Sequence, residues 1–196
     1  MREMTYDCVA LDNEWVTVTR DAAPRQQADP SSWGERVVVA MGDIEVTADG
    51  QNHALSRGQF IVVSAGESYA LVAGSAYFEV AIKVGHPPIR TPEIMIVPAG
   101  NAVRYRGPKF FVYEEILEVG ATRVKHSHCQ RVEIRLSNGP MLHQWIWQGG
   151  AMREMEPARV NWREPMVHEV HNIGDAALHN LIVEFLPPEP GAQVSA

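Results

Sequence analysis

The sequence predicts an all-β, metal-binding barrel protein, and three observations predict it. Short β-rich runs broken by Gly, Pro, Asn and Asp recur along the chain, while helical periodicity is nearly absent. In the stretch GATRVKHSHCQRVEIRLSNG, from Gly120 to Gly139, His126 and His128 stand two residues apart, so in an extended strand both imidazoles leave the same face. Downstream, His168 in EPMVHEVHN offers a third imidazole. Neutral imidazoles converging on one point suit a transition metal, and Glu133 follows as a candidate carboxylate ligand.

Taken in order, Val16 and Val18 alternate with Thr17 and Thr19 in EWVTVTR, which gives a half-buried strand. Arg20 to Trp33 is polar and proline-bearing and reads as a loop. Runs follow at 37–41 (VVVAM), 43–48 (DIEVTA) and 52–55 (NHAL), the last two joined by an Asp49-Gly50 hairpin signal. Further runs at 59–65, 68–73 and 77–84 are separated at Gly66 and Gly74. Gly85 to Pro108 holds five prolines and reads as a connector, with 93–99 (EIMIVPA) a possible strand inside it. KFFVYEEILE, at 109–118, is one long strand or a pair. VKHSH, RVEIRLS, MLHQWIW, ARVNW, HEVHNIG and HNLIVEFL continue the rhythm to Leu186, before the proline-rich tail PPEPGAQVSA. Two β-runs of roughly eighty residues each point to an internal duplication.

At 196 residues the chain is one large β domain or two small ones, and either buries a real core. A hydrophobic content of 45% with 21% charged residues is that of a soluble globular protein. The net charge of −7, with no run of Lys or Arg, argues against a nucleic-acid partner. Two cysteines, Cys8 and Cys129, make no disulfide framework, which fits a reducing compartment. The first residues, MREMTYDCVALDNEW, lack the apolar core of a signal peptide, and no apolar run reaches the ~20 residues of a membrane span. The cytoplasm is the expected location.

These residues resemble the cupin superfamily, and the two-part layout resembles a bicupin. The family's first motif, G-x5-H-x-H-x4-E followed by a glycine, is met by Gly120, His126, His128, Glu133 and Gly139. Its second, P-x-G-x2-H-x3-N, is met at His168 and Asn172, with Pro165 in the glycine's place and Arg163 in the proline's. RGQFIVVSAGESY echoes the second motif in the first half, with Gly66 in place and Tyr69 where the histidine belongs. Glu35 and Gly42 keep the family's glutamate-to-glycine spacing, but the positions of the two motif histidines fall on Ala28 and Pro30. The resemblance implies a double-stranded β-helix (jelly-roll) barrel, two in tandem. The boundaries are 1–88 for a barrel without metal, 89–108 for a connector, 109–187 for the metal-binding barrel and 188–196 for a tail. It also implies that the halves pack together like the subunits of a dimeric cupin; a further homodimer is compatible with this and not required.

Each candidate has a plainer reading. A lone histidine in a strand is more often a satisfied core residue than a ligand, and His53, His86 and His179 have no company. His171 lies three residues from His168 and points away in a regular strand, while His143 shares a face with Trp145 and Trp147, a core or pocket wall. Glu133 lies five residues beyond His128, so an unbroken strand sends it to the opposite face unless a loop or bulge at Cys129-Gln130 restores the phase. Arg131, Glu133 and Arg135 also alternate with Val132, Ile134 and Leu136, as a salt-bridged face backed by a core face does. The step from Glu133 to Gly139 is one residue short of the motif, which leaves Val132 as the alternative occupant of the ligand position. Cys129 is a small buried residue or a soft ligand.

No nucleophilic triad or phosphate loop is present in the sequence. The expectation is one divalent transition metal (Fe, Mn, Ni or Zn) held by His126, His128 and His168, with or without Glu133. That centre implies a metalloenzyme of the dioxygenase or lyase type acting on a small molecule; the other class is a non-catalytic cupin that binds or senses a small ligand.

Overall fold

The computed structural model describes residues 8–20, 33–74, 76–83, 102–137, 144–148, 151–155 and 160–186, and every regular element among them is a strand. Among the described residues, no helix is long and apolar enough to cross a membrane. The chain divides into two units, 1–87 and 88–196. Residues 93–99, together with Ala28, Pro30, His86, Gly139 and His143, lie outside the described residues.

In the first unit the strands are β1 (Cys8–Asp12), β2 (Val16–Arg20), β3 (Trp33–Ala40), β4 (Ile44–Ala48), β5 (Gln51–Leu55), β6 (Phe60–Val63), β7 (Tyr69–Ala73) and β8 (Tyr77–Lys83). They form a five-stranded sheet in the order β1-β2-β8-β3-β6 and a three-stranded sheet in the order β5-β4-β7. The β4–β5 hairpin turns at Asp49 (φ 52°) and Gly50 (φ 69°), the two positive φ values that a tight two-residue turn between twisted strands demands. Val38, Ala40, Val63 and Tyr77 from the larger sheet share one apolar core with Ile44, Val46, Ala48 and Leu55 from the smaller. Tyr69 lies in that core and donates its hydroxyl proton to Glu79, and the Arg36 guanidinium sits 5.3 Å from its ring centre.

The second unit contains β9 (Ala102–Arg106), β10 (Phe110–Leu117), β11 (Thr122–His128), β12 (Arg131–Arg135), β13 (Gln144–Gln148), β14 (Ala151–Met155), β15 (Val160–Arg163), β16 (Met166–Asn172) and β17 (Leu178–Phe185). Its sheets run β9-β10-β17-β12-β15 and β11-β16-β13-β14. With β11 set aside, both units have the same strand order in both sheets. In both, the last strand, β8 or β17, is central to the five-stranded sheet and is almost wholly buried. The weak repeat of the sequence is therefore a clear repeat of connectivity.

Three strands were not evident in the sequence. Each is short and either edge-like or hidden by breakers. β1 slips register between Val9 and Leu11 and leaves Val9 exposed. β9 lies inside the expected connector, in the proline-free interval between Pro98 and Pro108, and is exposed at four of its five positions. β14 follows β13 across Gly149 and Gly150. KFFVYEEILE, conversely, is one strand, paired along its whole length with β17.

Two glycines test this backbone. Gly50 (φ 69°) and Gly74 (φ 85°) both occupy the left-handed region, but a Cβ at Gly50 meets nothing within 4 Å, whereas one at Gly74 would lie 2.5 Å from Asp43 O and 2.8 Å from Ile44 Cγ2. Gly50→Ala is expected to cost about 1 kcal/mol and Gly74→Ala about 2–4 kcal/mol in urea unfolding. Equal losses would show that the close approach at Gly74 is not real.

Candidate metal centre

The centre begins with pairing. β11 runs antiparallel to β16 with His126 opposite His168 and His128 opposite Met166. Directly opposed residues project to one side of a sheet, and His128 shares that side with His126 because it is two residues further on. His126, His128 and His168 are all buried, and their available ring nitrogens lie within 4.8 Å of one another. His126 Nε2 and His168 Nε2 are 3.0 Å apart. Nitrogens that share one ion at ~2.0–2.2 Å each stand ~3.0–3.5 Å apart, so this spacing fits a common metal as well as a hydrogen bond.

Two of the rings are oriented from behind. His126 Nδ1 lies 2.7 Å from the Val124 carbonyl oxygen, so Nδ1 carries the proton and Nε2 presents its lone pair inward. His128 Nδ1 lies 3.0 Å from Glu184 Oε2, which leaves His128 Nε2 in the same state. Glu184 is itself fixed: Oε2 accepts the Tyr113 hydroxyl at 2.7 Å, and Oε1 accepts the Cys129 backbone N–H at 2.7 Å. Burial, helped by the Arg131 charge and by His126, lowers the pKa of His128 to about 2. Burial and the neighbouring His128 and His126 lower that of His168 to about 2, and burial lowers that of His126. All three rings are thus neutral at neutral pH, the form in which imidazole binds a metal.

Glu133 stands outside the histidine group. β11 ends at His128 and β12 begins at Arg131, so the chain turns from one sheet into the other at Cys129-Gln130. Beyond that turn Glu133 Oε2 accepts Arg163 Nε at 2.7 Å, and Oε1 accepts Arg131 Nη2 at 3.3 Å. Burial raises its pKa, but the two arginines more than offset this and hold the carboxyl below its usual range. Val132, on the other face of β12, is wholly buried. Arg163 occupies the motif's proline position, so that departure supplies the partner of Glu133.

Cys129 is buried and its thiol is pushed up to about 11, chiefly by burial, so it stays a thiol and lies outside the group. Asn172 is structural: its side-chain amide donates to Leu117 O at 2.9 Å and Ala176 O at 2.8 Å, and its Oδ1 accepts Gly174 N–H at 3.0 Å. His171, paired opposite Thr122 and Trp147, is not in the histidine group. Glu184 is the residue that motif reading missed. Its one signal is a lone charge within NLIVEFL, a run otherwise suited to full burial.

No family model matches the sequence, and no curated protein matches it. Solved structures do share the fold. The cupin 2 conserved barrel domain protein from Leptotrichia buccalis is similar with a TM-score of 0.59 at 13% identity, over 95% of this chain and 91% of that one. The putative glyoxylate induced protein from Pseudomonas aeruginosa gives 0.63 at 15%, over 97% and 83%. Salicylate 1,2-dioxygenase from Pseudoaminobacter salicylatoxidans gives 0.57 at 10%, over 88% and 68%. The chain has a cupin-type β fold.

If Glu184 orients His128, Glu184→Ala should weaken divalent-metal binding by about tenfold or more in a metal titration. Glu133→Gln should weaken it by less. A larger loss from Glu133→Gln than from Glu184→Ala would reverse the two roles.

Proposed function

We propose that this chain is a metal-dependent enzyme of the dioxygenase or lyase type, built as two cupin-type units in tandem and acting on a small molecule. One divalent transition metal, Fe, Mn, Ni or Zn, would be held by His126, His128 and His168. The observation that carries the reading is the convergence of three buried, neutral imidazoles, two of them with Nε2 freed by a partner on Nδ1. The matching strand orders support the tandem. The two-cysteine composition favours a reducing compartment, the cytoplasm, and the net negative charge favours a small-molecule partner over nucleic acid.

The chain's own groups divide the work. The histidines supply three neutral donors and leave further coordination positions open. A bound ion would polarise a substrate oxygen and, if redox-active, activate dioxygen. Burial around the rings excludes bulk water. Tyr113 is held as a neutral phenol because burial and the Glu184 charge raise its pKa well above the ordinary value, so its proton stays on the hydroxyl that braces Glu184. The fold alone selects no reaction, since one fold hosts many chemistries.

Elemental analysis of the purified protein is expected to show one transition metal per chain, and His126→Ala is expected to lose it while keeping the β-sheet circular dichroism signal. Oxygen uptake or product formation against a panel of small diketones, phenols and hydroxy acids then tests turnover. A stably bound metal with no turnover across the panel would favour a ligand-binding or sensing role instead.

A further inference from the structure

The interior around the histidines carries more positive charge than its acids neutralise. Arg131 is the largest fully buried side chain among the described residues. Its Nη2 donates to Glu133 Oε1 at 3.3 Å and meets Met166 Sδ, a weak acceptor, at 3.3 Å. Among the described residues its Nε and Nη1 have no hydrogen-bond partner. Open donors on a buried guanidinium are costly, so they call for an acceptor.

Charge favours an anionic one. Glu133 is shared between Arg131 and Arg163, and Arg135, buried on the same strand, feels Glu133 as its attractive charge. One carboxylate thus stands among three guanidinium groups. Glu184, the cross-strand neighbour of Arg131, adds a second carboxylate, which still leaves two acids against three guanidinium groups, and both its oxygens are already taken by Tyr113, His128 and the Cys129 N–H. Position points the same way. Met166, which Arg131 touches, is the cross-strand neighbour of His128, and the Arg131 charge is felt by all three imidazoles.

We propose that Arg131 is the anion anchor of this site: a small substrate sets its carboxylate against the Arg131 guanidinium and directs the rest of the molecule at the histidine cluster. A permanently charged, planar donor set suits a carboxylate better than an ammonium would. The proposal names carboxylates as the substrate class of the proposed enzyme and rests on that reading only for the chemistry after binding.

Calorimetric titration with benzoate and lactate, against their uncharged counterparts benzamide and lactamide, tests it on protein with and without metal. The carboxylates are expected to bind about tenfold or more tightly than the amides in both forms, and Arg131→Met is expected to abolish that preference. If Arg131→Met fails to fold, the double variant Arg131→Met/Glu133→Gln removes the cation together with the acid it pairs with and should show the same loss. The proposal is overturned if neither carboxylate binds in the millimolar range, if amides bind as well, or if the preference survives in the variant or vanishes on metal removal alone. An Arg131-dependent preference in a protein that binds no metal at its histidines would support the anchor and refute the metalloenzyme reading.

Discussion

The cross-strand register between β11 and β16 is the constraint on which the site depends. It sets His126 opposite His168, and strand alternation then carries His128 to the same side. A slip of one residue would turn one row of imidazoles away from the other and leave polar rings buried without partners. That register is held from several sides. β16 pairs with β13 as well as β11, Asn172 ties the end of β16 to Leu117 and Ala176, and Gly120 N–H donates to Asn172 O at 2.9 Å. The asparagine of the second motif therefore serves the histidines through the backbone.

A polar interior of this kind is expensive, and the pairing shows how the cost is met. Glu184 is buried yet saturated, with a phenol, an imidazole and a backbone amide as donors. The first unit repeats the device in reduced form, since Tyr69 donates to Glu79 on the corresponding central strand. In both units a buried glutamate on the central strand is capped by a tyrosine, and in the second unit an imidazole joins the pair. Where pairing is less complete, around Arg131, the structure departs from what stability alone would select.

Much of this was legible in the sequence because it rests on local rules. The Asp49-Gly50 signal produced its hairpin, alternation located most strands, and the two-residue spacing of His126 and His128 put both on one face. What escaped depends on distant pairing. Glu184 lies 56 residues from His128, and its meaning exists only once β17 is central. Glu133 shows the opposite case. Its spacing matched a motif, but the turn at Cys129-Gln130 carried it into a sheet where two arginines compete for it. β9 was hidden by proline density averaged over a longer segment, although its own residues contain none.

The place of β11 in its sheet has a kinetic consequence. Among the described residues it is an edge strand, bonded to β16 alone, while β17 is bonded on both sides by β10 and β12. Strands with one neighbour open more readily than strands with two. The edge would therefore peel first, carrying His126 and His128 away from His168 while Glu184 stays in place on the last strand to exchange its amide hydrogens. An ion could then enter and leave through fraying of one strand, without unfolding of the unit. On reclosure, the carboxylate that orients His128 would already be waiting.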